Sequence, residues 1–259
     1  MPIDKRQSSR SKQSKSRTIV DLLLISGVNN VRECLASPHA NVLQLIVKKG
    51  FDLEQLGRIP KEIKQVWLSE QDPRCDEIHQ GIGCQLPVPN WGDYQTFIEN
   101  LVKHKKDPVV VILDQVEDPN NLGQILRTSD GAGVDAVLVP GRRSAPLTSA
   151  AAQTSQGAFA WVPFFNVGNL RQALDFLKNN GFWLYACEND AASKLWSESD
   201  LCGPVTVIFG SEGRGIRQLT LQSCDHTLHL PMAGKINSLN VSASVSAVLF
   251  EIVRQRQKS

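Results

Sequence analysis

Short apolar runs punctuate the second half of the chain, at residues 109–113, 136–139, 182–187, 205–209 and 228–230. Between them, 122–130, 170–179 and 239–254 carry apolar residues at helical spacing. Such runs, separated by helical stretches, predict a mostly parallel sheet with both faces covered, so residues 108–259 are read as an α/β domain. The first half has shorter blocks: a helix around 31–35, a strand over 43–47 and another element around 63–68. These predict a small α/β domain over 18–88. Pro87, Pro89, Asn90, Gly92 and Asp93, then the charged stretch from Lys103 to Asp107, place a linker over 89–107. Residues 1–17 hold too few apolar side chains to offset ordering entropy and are read as a disordered basic tail that touches RNA phosphate or is merely solvated.

Composition narrows the class. A chain of 259 residues suits a small domain plus a medium one, and 41% hydrophobic with 21% charged residues is the balance of a globular protein. No apolar run is long enough for a membrane span, so no membrane partner is expected. A net charge of only +2 means that nucleic-acid binding has to come from local patches. The six cysteines form no CxxC pair and no zinc spacing, so they are read as reduced and mostly buried, with no metal. Leu22, Leu23, Leu24 and Ile25 after a basic stretch have a signal-peptide flavour, but Asp21 interrupts the run and Asn29, Asn30, Arg32 and Glu33 follow it. A cytoplasmic location is expected; the first seventeen residues, rich in Ser, Lys and Arg with Asp4 as the sole acid, leave organelle import as an open alternative.

Ligands of parallel sheets sit beyond the carboxyl ends of the strands, which directs attention to the loops after Leu113, Phe209 and Leu230. The first loop, 118–123, runs into a helix carrying Asn121, Gly123, Arg127 and Thr128; taken alone, Asn121 reads as a helix cap and Arg127 as a surface arginine. The second is Gly210-Ser211-Glu212-Gly213-Arg214-Gly215, whose glycines let a ligand approach the backbone or simply make a tight turn; it fits neither the P-loop nor the dinucleotide spacing. The third, 230–242, is dense in Ser and Asn, and Ser238 or Asn240 alone reads as a cap.

Together and in this order the loops resemble the signature motifs of the SpoU family of RNA ribose methyltransferases. N-x-G-x-x-x-R-[ST] matches at Asn121, Gly123, Arg127 and Thr128, G-x-E-G-x-G at Gly210, Glu212, Gly213 and Gly215, and P-M-x-G-x-x-x-S-L-N-V-S over 231–242. The amino-terminal half, with His79-Gln80-Gly81 near its end, looks like the RNA-binding domain of those bacterial members that methylate a guanosine ribose in large-subunit ribosomal RNA. Ser129 and Gly131 depart from the alanines usual in relatives, without touching the motifs.

The resemblance implies a deep trefoil knot in the carboxyl-terminal domain, which periodicity alone could never show. It implies S-adenosyl-L-methionine as cofactor, held at Gly210, Leu230 and Leu239, and a catalytic set of Arg127, Asn121, Glu212, Ser238 and Asn240. Arg127 is cast in the family as a base; a guanidinium stays protonated, so gripping a phosphate and stabilising a 2′-oxyanion is the better role. Asn121 would position Arg127 or the ribose, Glu212 would orient the arginine, and Ser238 and Asn240 would complete the wall. Arg142, Arg143 and Lys235 are expected as phosphate contacts at the edge of the site, against ordinary solvated charge. Structured RNA and a second copy of the chain are the implied partners, the homodimer built on the last helix, whose Val245, Val248, Leu249, Ile252 and Val253 serve either partner or core. A transfer-RNA ribose methyltransferase and a non-catalytic RNA-binding assembly factor stand as alternatives. A nicotinamide-dependent oxidoreductase fails, because Gly131-Ala132-Gly133 ends a helix and precedes a strand, the reverse of the dinucleotide order.

Overall fold

A computed structural model describes residues 22–188 and 193–257; the basic tail expected over 1–17 lies outside the described residues. The chain opens with β1 (Leu22–Ser26), α1 (Val28–Ala36), β2 (Gln44–Lys48), β3 (Lys64–Leu68) and β4 (Ile82–Pro87). These strands form one sheet in the order β1-β4-β2-β3, with β4 antiparallel to both neighbours and β2 parallel to β3. Side chains alternate across a strand, so Leu45 and Val47 face the buried Val31 and Cys34 of α1, while Ile46 joins Leu68 and Ile78 on the other side. His79-Gln80-Gly81 is a structural corner: Gln80 has φ 56°, and its Oε1 accepts the Val28 N–H at 2.8 Å, capping α1.

The stretch expected as a linker is largely a helix, α2 (Tyr94–His104), started by Asp93, whose carboxylate accepts the Thr96 N–H. Tyr94, Phe97, Ile98 and Leu101 recur at one-turn spacing and pack into the second core layer, Ile98 being fully buried. The turn residues ahead of it and the lysines behind it hide this pattern in the sequence.

Next come β5 (Val109–Asp114), α3 (Pro119–Gly131), β6 (Ala136–Pro140), α4 (Ser149–Thr154), β7 (Phe164–Val167), α5 (Leu170–Asn179) and β8 (Trp183–Cys187). Then follow β9 (Lys194–Leu195), β10 (Val205–Gly210), α6 (Gln218–Leu221), β11 (His226–His229) and α7 (Val241–Arg256). Seven strands pair in the order β7-β6-β5-β10-β8-β11-β9, every pairing parallel. β5 is buried at all six residues: Val109, Val111 and Leu113 face α3 and α7, while Val110 and Ile112 face α2 and α5. Covering on both sides favours apolar residues, hence the unbroken run from Val109 to Leu113, and only Asp114 at the strand's end is charged. On α7, Val245, Val248, Leu249 and Ile252 are spent on this same core, and the large side chain left outside is Phe250, 52% exposed.

The two sheets share one continuous core, and α4 meets β1 while the segment just after it, 158–161, meets α1. The Gln153 side chain acts as a strand edge for β1: its Oε1 accepts the Ser26 N–H at 2.9 Å and its Nε2 donates to the Ser26 carbonyl at 2.8 Å. Ser149 Oγ accepts the Leu24 N–H. Gln153→Ala strands the Ser26 N–H, while the Ser26 carbonyl keeps the Asn30 Nδ2 donor at 3.0 Å; the variant is expected to lower unfolding free energy by about 1–3 kcal/mol, read as a lower midpoint in urea, and an unchanged midpoint would show that water replaces the amide there.

Candidate functional site

The carboxyl ends of β8, β10 and β11 open onto one cavity of about 470 Å³, within the size range of small-molecule sites. Phe209 and Gly210, Leu228 and Leu230, and Leu239 and Val241 supply its backbone and apolar walls. Ser211 and Ser238 lie on the same surface. The Ser211 hydroxyl is buried and has no hydrogen-bond partner among the described residues.

The loop after β10 folds back tightly, with Ser211 and Gly215 forming a bridge. A Cβ at Gly210 would sit 2.1 Å from the Gly215 carbonyl carbon, so only glycine fits. At Gly215, where φ is +66°, a Cβ would strike the Glu188 carboxylate at 2.8 Å. Glu188 closes the end of β8, and its Oε2 accepts the Ile216 N–H at 3.0 Å. The exit of the loop is tied to β5: Asp114, wholly buried, accepts from Arg217 Nε at 2.8 Å, from the Arg217 N–H at 3.2 Å and from Thr220 Oγ1 at 2.9 Å. Three donors are what a buried carboxylate needs to offset its lost hydration.

Beside the cavity, three side chains from three segments meet. Asn121 Nδ2 donates to Glu212 Oε1 at 3.1 Å, and Asn240 Nδ2 donates to Glu212 Oε1 at 2.7 Å and to Asn121 Oδ1 at 3.0 Å. Asp118 caps α3 by accepting the Asn120 N–H, which frees Asn121 for this contact. Asn240 also caps α7, its Oδ1 accepting the Ser242 N–H at 2.9 Å. Ser242 Oγ reaches Gln124 Oε1 at 2.7 Å, and one turn on Thr128 and Ser246 share a hydrogen bond of 3.0 Å. A polar seam thus binds α3 to α7.

The remaining expected residues divide. Gly210, Leu230 and Leu239 all line the cavity, as does Ser238. Arg127 is exposed on α3, beside Thr128 of the seam, and has no hydrogen-bond or ion-pair partner among the described residues. Glu212 was expected to orient Arg127; its Oε1 is held instead by the two amides. Arg142, Arg143 and Lys235 are exposed and outside the cavity lining.

Three motif-bearing loops on a parallel sheet are by themselves a fold-level likeness. A model of the SpoU rRNA methylase family matches residues 108–250, more than half of the chain. The chain belongs to that family. It is 36% identical over 240 residues to a Staphylococcus saprophyticus protein provisionally named a TrmH family tRNA/rRNA methyltransferase, covering 90% of this chain and 96% of that one. The corresponding protein of Staphylococcus epidermidis is 35% identical over 244 residues, 91% and 97% of the two chains. The fold matches the SpoU methyltransferase AviRb of Streptomyces viridochromogenes, solved in complex with AdoMet, with a TM-score of 0.77 and 21% identity over 92% of each chain.

As a SpoU-family RNA methyltransferase the chain carries features that its motifs did not announce. Gln124 lies between the residues of the first motif and looked like ordinary helix surface, yet it accepts from the Ser242 hydroxyl of the third. Cys187 and Glu188 end a strand, and the rule that pointed to the loops after Leu113, Phe209 and Leu230 applied equally here. Burial, with a smaller push from the Glu188 charge, raises the Cys187 thiol to about 12. The thiolate is the nucleophile, so at pH 8.5 only about one Cys187 in three thousand is reactive. Cys187 is therefore expected to resist iodoacetamide in the folded protein and to react after unfolding, as read by peptide mass spectrometry; rapid labelling in the native state would contradict a buried thiol.

Proposed function

We propose that this SpoU-family protein transfers a methyl group from S-adenosyl-L-methionine to the ribose 2′-hydroxyl of a guanosine in large-subunit ribosomal RNA. The observation that carries the reading is the Asn121–Glu212–Asn240 cluster beside a cavity lined by Gly210, Leu230 and Leu239, with the unpaired Arg127 further along the same helix as Asn121. The cavity suits the donor: apolar walls for adenosine, an unpartnered Ser211 hydroxyl, and carboxylates near a cation.

When bound, the donor supplies an electrophilic methyl on a sulfonium. The protein's part is alignment and charge. Arg127 grips the phosphate beside the target ribose and stabilises the negative charge that grows on the 2′-oxygen as its proton passes to solvent. Asn121, Glu212 and Asn240 hold the ends of α3 and α7 in one register, so the ribose meets a fixed wall that Ser238 completes. Arg142, Arg143 and Lys235 add phosphate contacts at the rim. The amino-terminal sheet grips folded RNA by shape, and its presence supports ribosomal over transfer RNA.

The trefoil knot and the homodimer belong to the same proposal. β10 lies between β5 and β8, and the chain then returns through β11 and the 230–240 loop so that α7 packs on α3, an order that supports threading. Ala243, Ala247 and Phe250 form the outward face of α7, small residues beside an exposed ring, and there a second copy would dock.

Radiolabelled methyl from S-adenosyl-L-methionine, offered to large-subunit, small-subunit and transfer RNA from cells lacking the gene, is expected to appear on a large-subunit ribose. Arg127→Ala should reduce the rate about 10²–10³-fold, and Arg127→Lys by more than about tenfold, because an ammonium cannot reproduce the bidentate grip. Label on transfer RNA alone would move the substrate and keep the chemistry; no label on any RNA would defeat the enzyme reading.

A further inference from the structure

Among the described residues the wall of the cavity holds two carboxylates, Glu188 and Glu212, and no lysine or arginine. The other titratable groups there are the Cys187 thiol and His229, whose Nδ1 is engaged by the Ser193 carbonyl at 2.9 Å. The two acids differ in their surroundings. Glu212 is matched by the amide donors of Asn121 and Asn240. Among the described residues the Glu188 carboxylate receives a single hydrogen bond, from the Ile216 N–H, which pins it in place. An ionised carboxylate has about four acceptor sites, so most of its capacity is left for the cavity. Phe209, Leu228 and Leu230 line the same cavity, and apolar walls lower the local dielectric and lengthen the reach of a charge.

We propose that Glu188 is a specificity-determining residue of this site: its carboxylate favours the cationic methyl donor over the neutral product of the reaction. The inference rests on the donor proposed above. S-Adenosyl-L-methionine carries a sulfonium and an ammonium against one carboxylate, a net single positive charge. Loss of the methyl to the 2′-oxygen leaves the sulfur with its electron pair as a neutral thioether, and S-adenosylhomocysteine has no net charge. A fixed negative charge in the wall therefore stabilises the donor and is indifferent to the product, a difference that drives product exchange without any movement of the fold. Glu188 reaches this place because β8 ends one residue before it and the β10 loop, left open at Gly215, makes room for the carboxylate.

The test is calorimetric binding of S-adenosyl-L-methionine, S-adenosylhomocysteine and sinefungin, whose amine keeps the positive charge without a sulfonium, to wild type and to Glu188→Gln. The amide keeps an acceptor for the Ile216 N–H, so the variant removes charge with little change of shape. Kd for the two cationic ligands should rise about tenfold in the variant while that for S-adenosylhomocysteine changes less than about twofold. In the wild type, raising salt to about 0.5 M should weaken the cationic ligands selectively, an independent reading that does not depend on the variant folding. Equal loss for all three ligands would reduce Glu188 to a loop anchor and overturn the proposal, as would no change, or a salt effect shared by all three. If the wild type bound none of them, the donor reading itself would fall, which is a different result from binding without discrimination.

Discussion

At Gly210 the backbone passes so close to Gly215 that a side chain there would lie 2.1 Å from a carbonyl carbon, and the remainder of the site is arranged around that contact. The turn it permits sends Glu212 towards α3 and α7 and presents the Ile216 N–H to Glu188. One close approach thereby decides where both carboxylates of the cavity stand. Substitution at Gly210 displaces backbone rather than the end of a flexible side chain, and so reaches every wall at once.

The loop can be held this tightly because both its ends are anchored in the sheet. β10 runs beside β5 in register, and the buried Asp114 at the end of β5 collects donors from Arg217 and Thr220 just past the loop. A carboxylate buried with its hydrogen bonds complete is far costlier to disturb than a surface ion pair. The sheet therefore acts as the rigid member, and the segments after β8, β10 and β11 are short spans fixed to it.

Much of this was legible from residue pattern. The unbroken apolar runs at β5 and β10 announced strands covered on both faces, and the three polar loops announced the site at their ends. What stayed hidden has particular causes. β1 has five residues, a four-residue apolar block and Ser26, and its partner, β4, lies some sixty positions on, so no local signal marks it as a strand. α2 was masked by the turn residues and lysines that bracket it, although its apolar spacing is plain once the helix is seen. Glu188 belongs to no motif: a single acid after a strand looks like a strand end, and only the meeting of β8 with the β10 loop gives it a ligand-facing role.

The choice between helix cap and functional residue, posed for Asn240 by the sequence, turns out to be a false one. Its carbonyl oxygen caps α7 while its amide holds Glu212 and Asn121, so the start of the helix and the wall of the site are set by the same side chain. Asn121, relieved of capping by Asp118, spends both ends of its amide on the cluster. Rigid amides thus fix the acid, while Arg127, exposed on α3, has no hydrogen-bond or ion-pair partner among the described residues. That division suits methyl transfer to RNA: the part of the site that must fit a small cofactor is over-determined by hydrogen bonds. The proposed contact with RNA, a large and irregular polyanion, falls instead to the long side chain of Arg127.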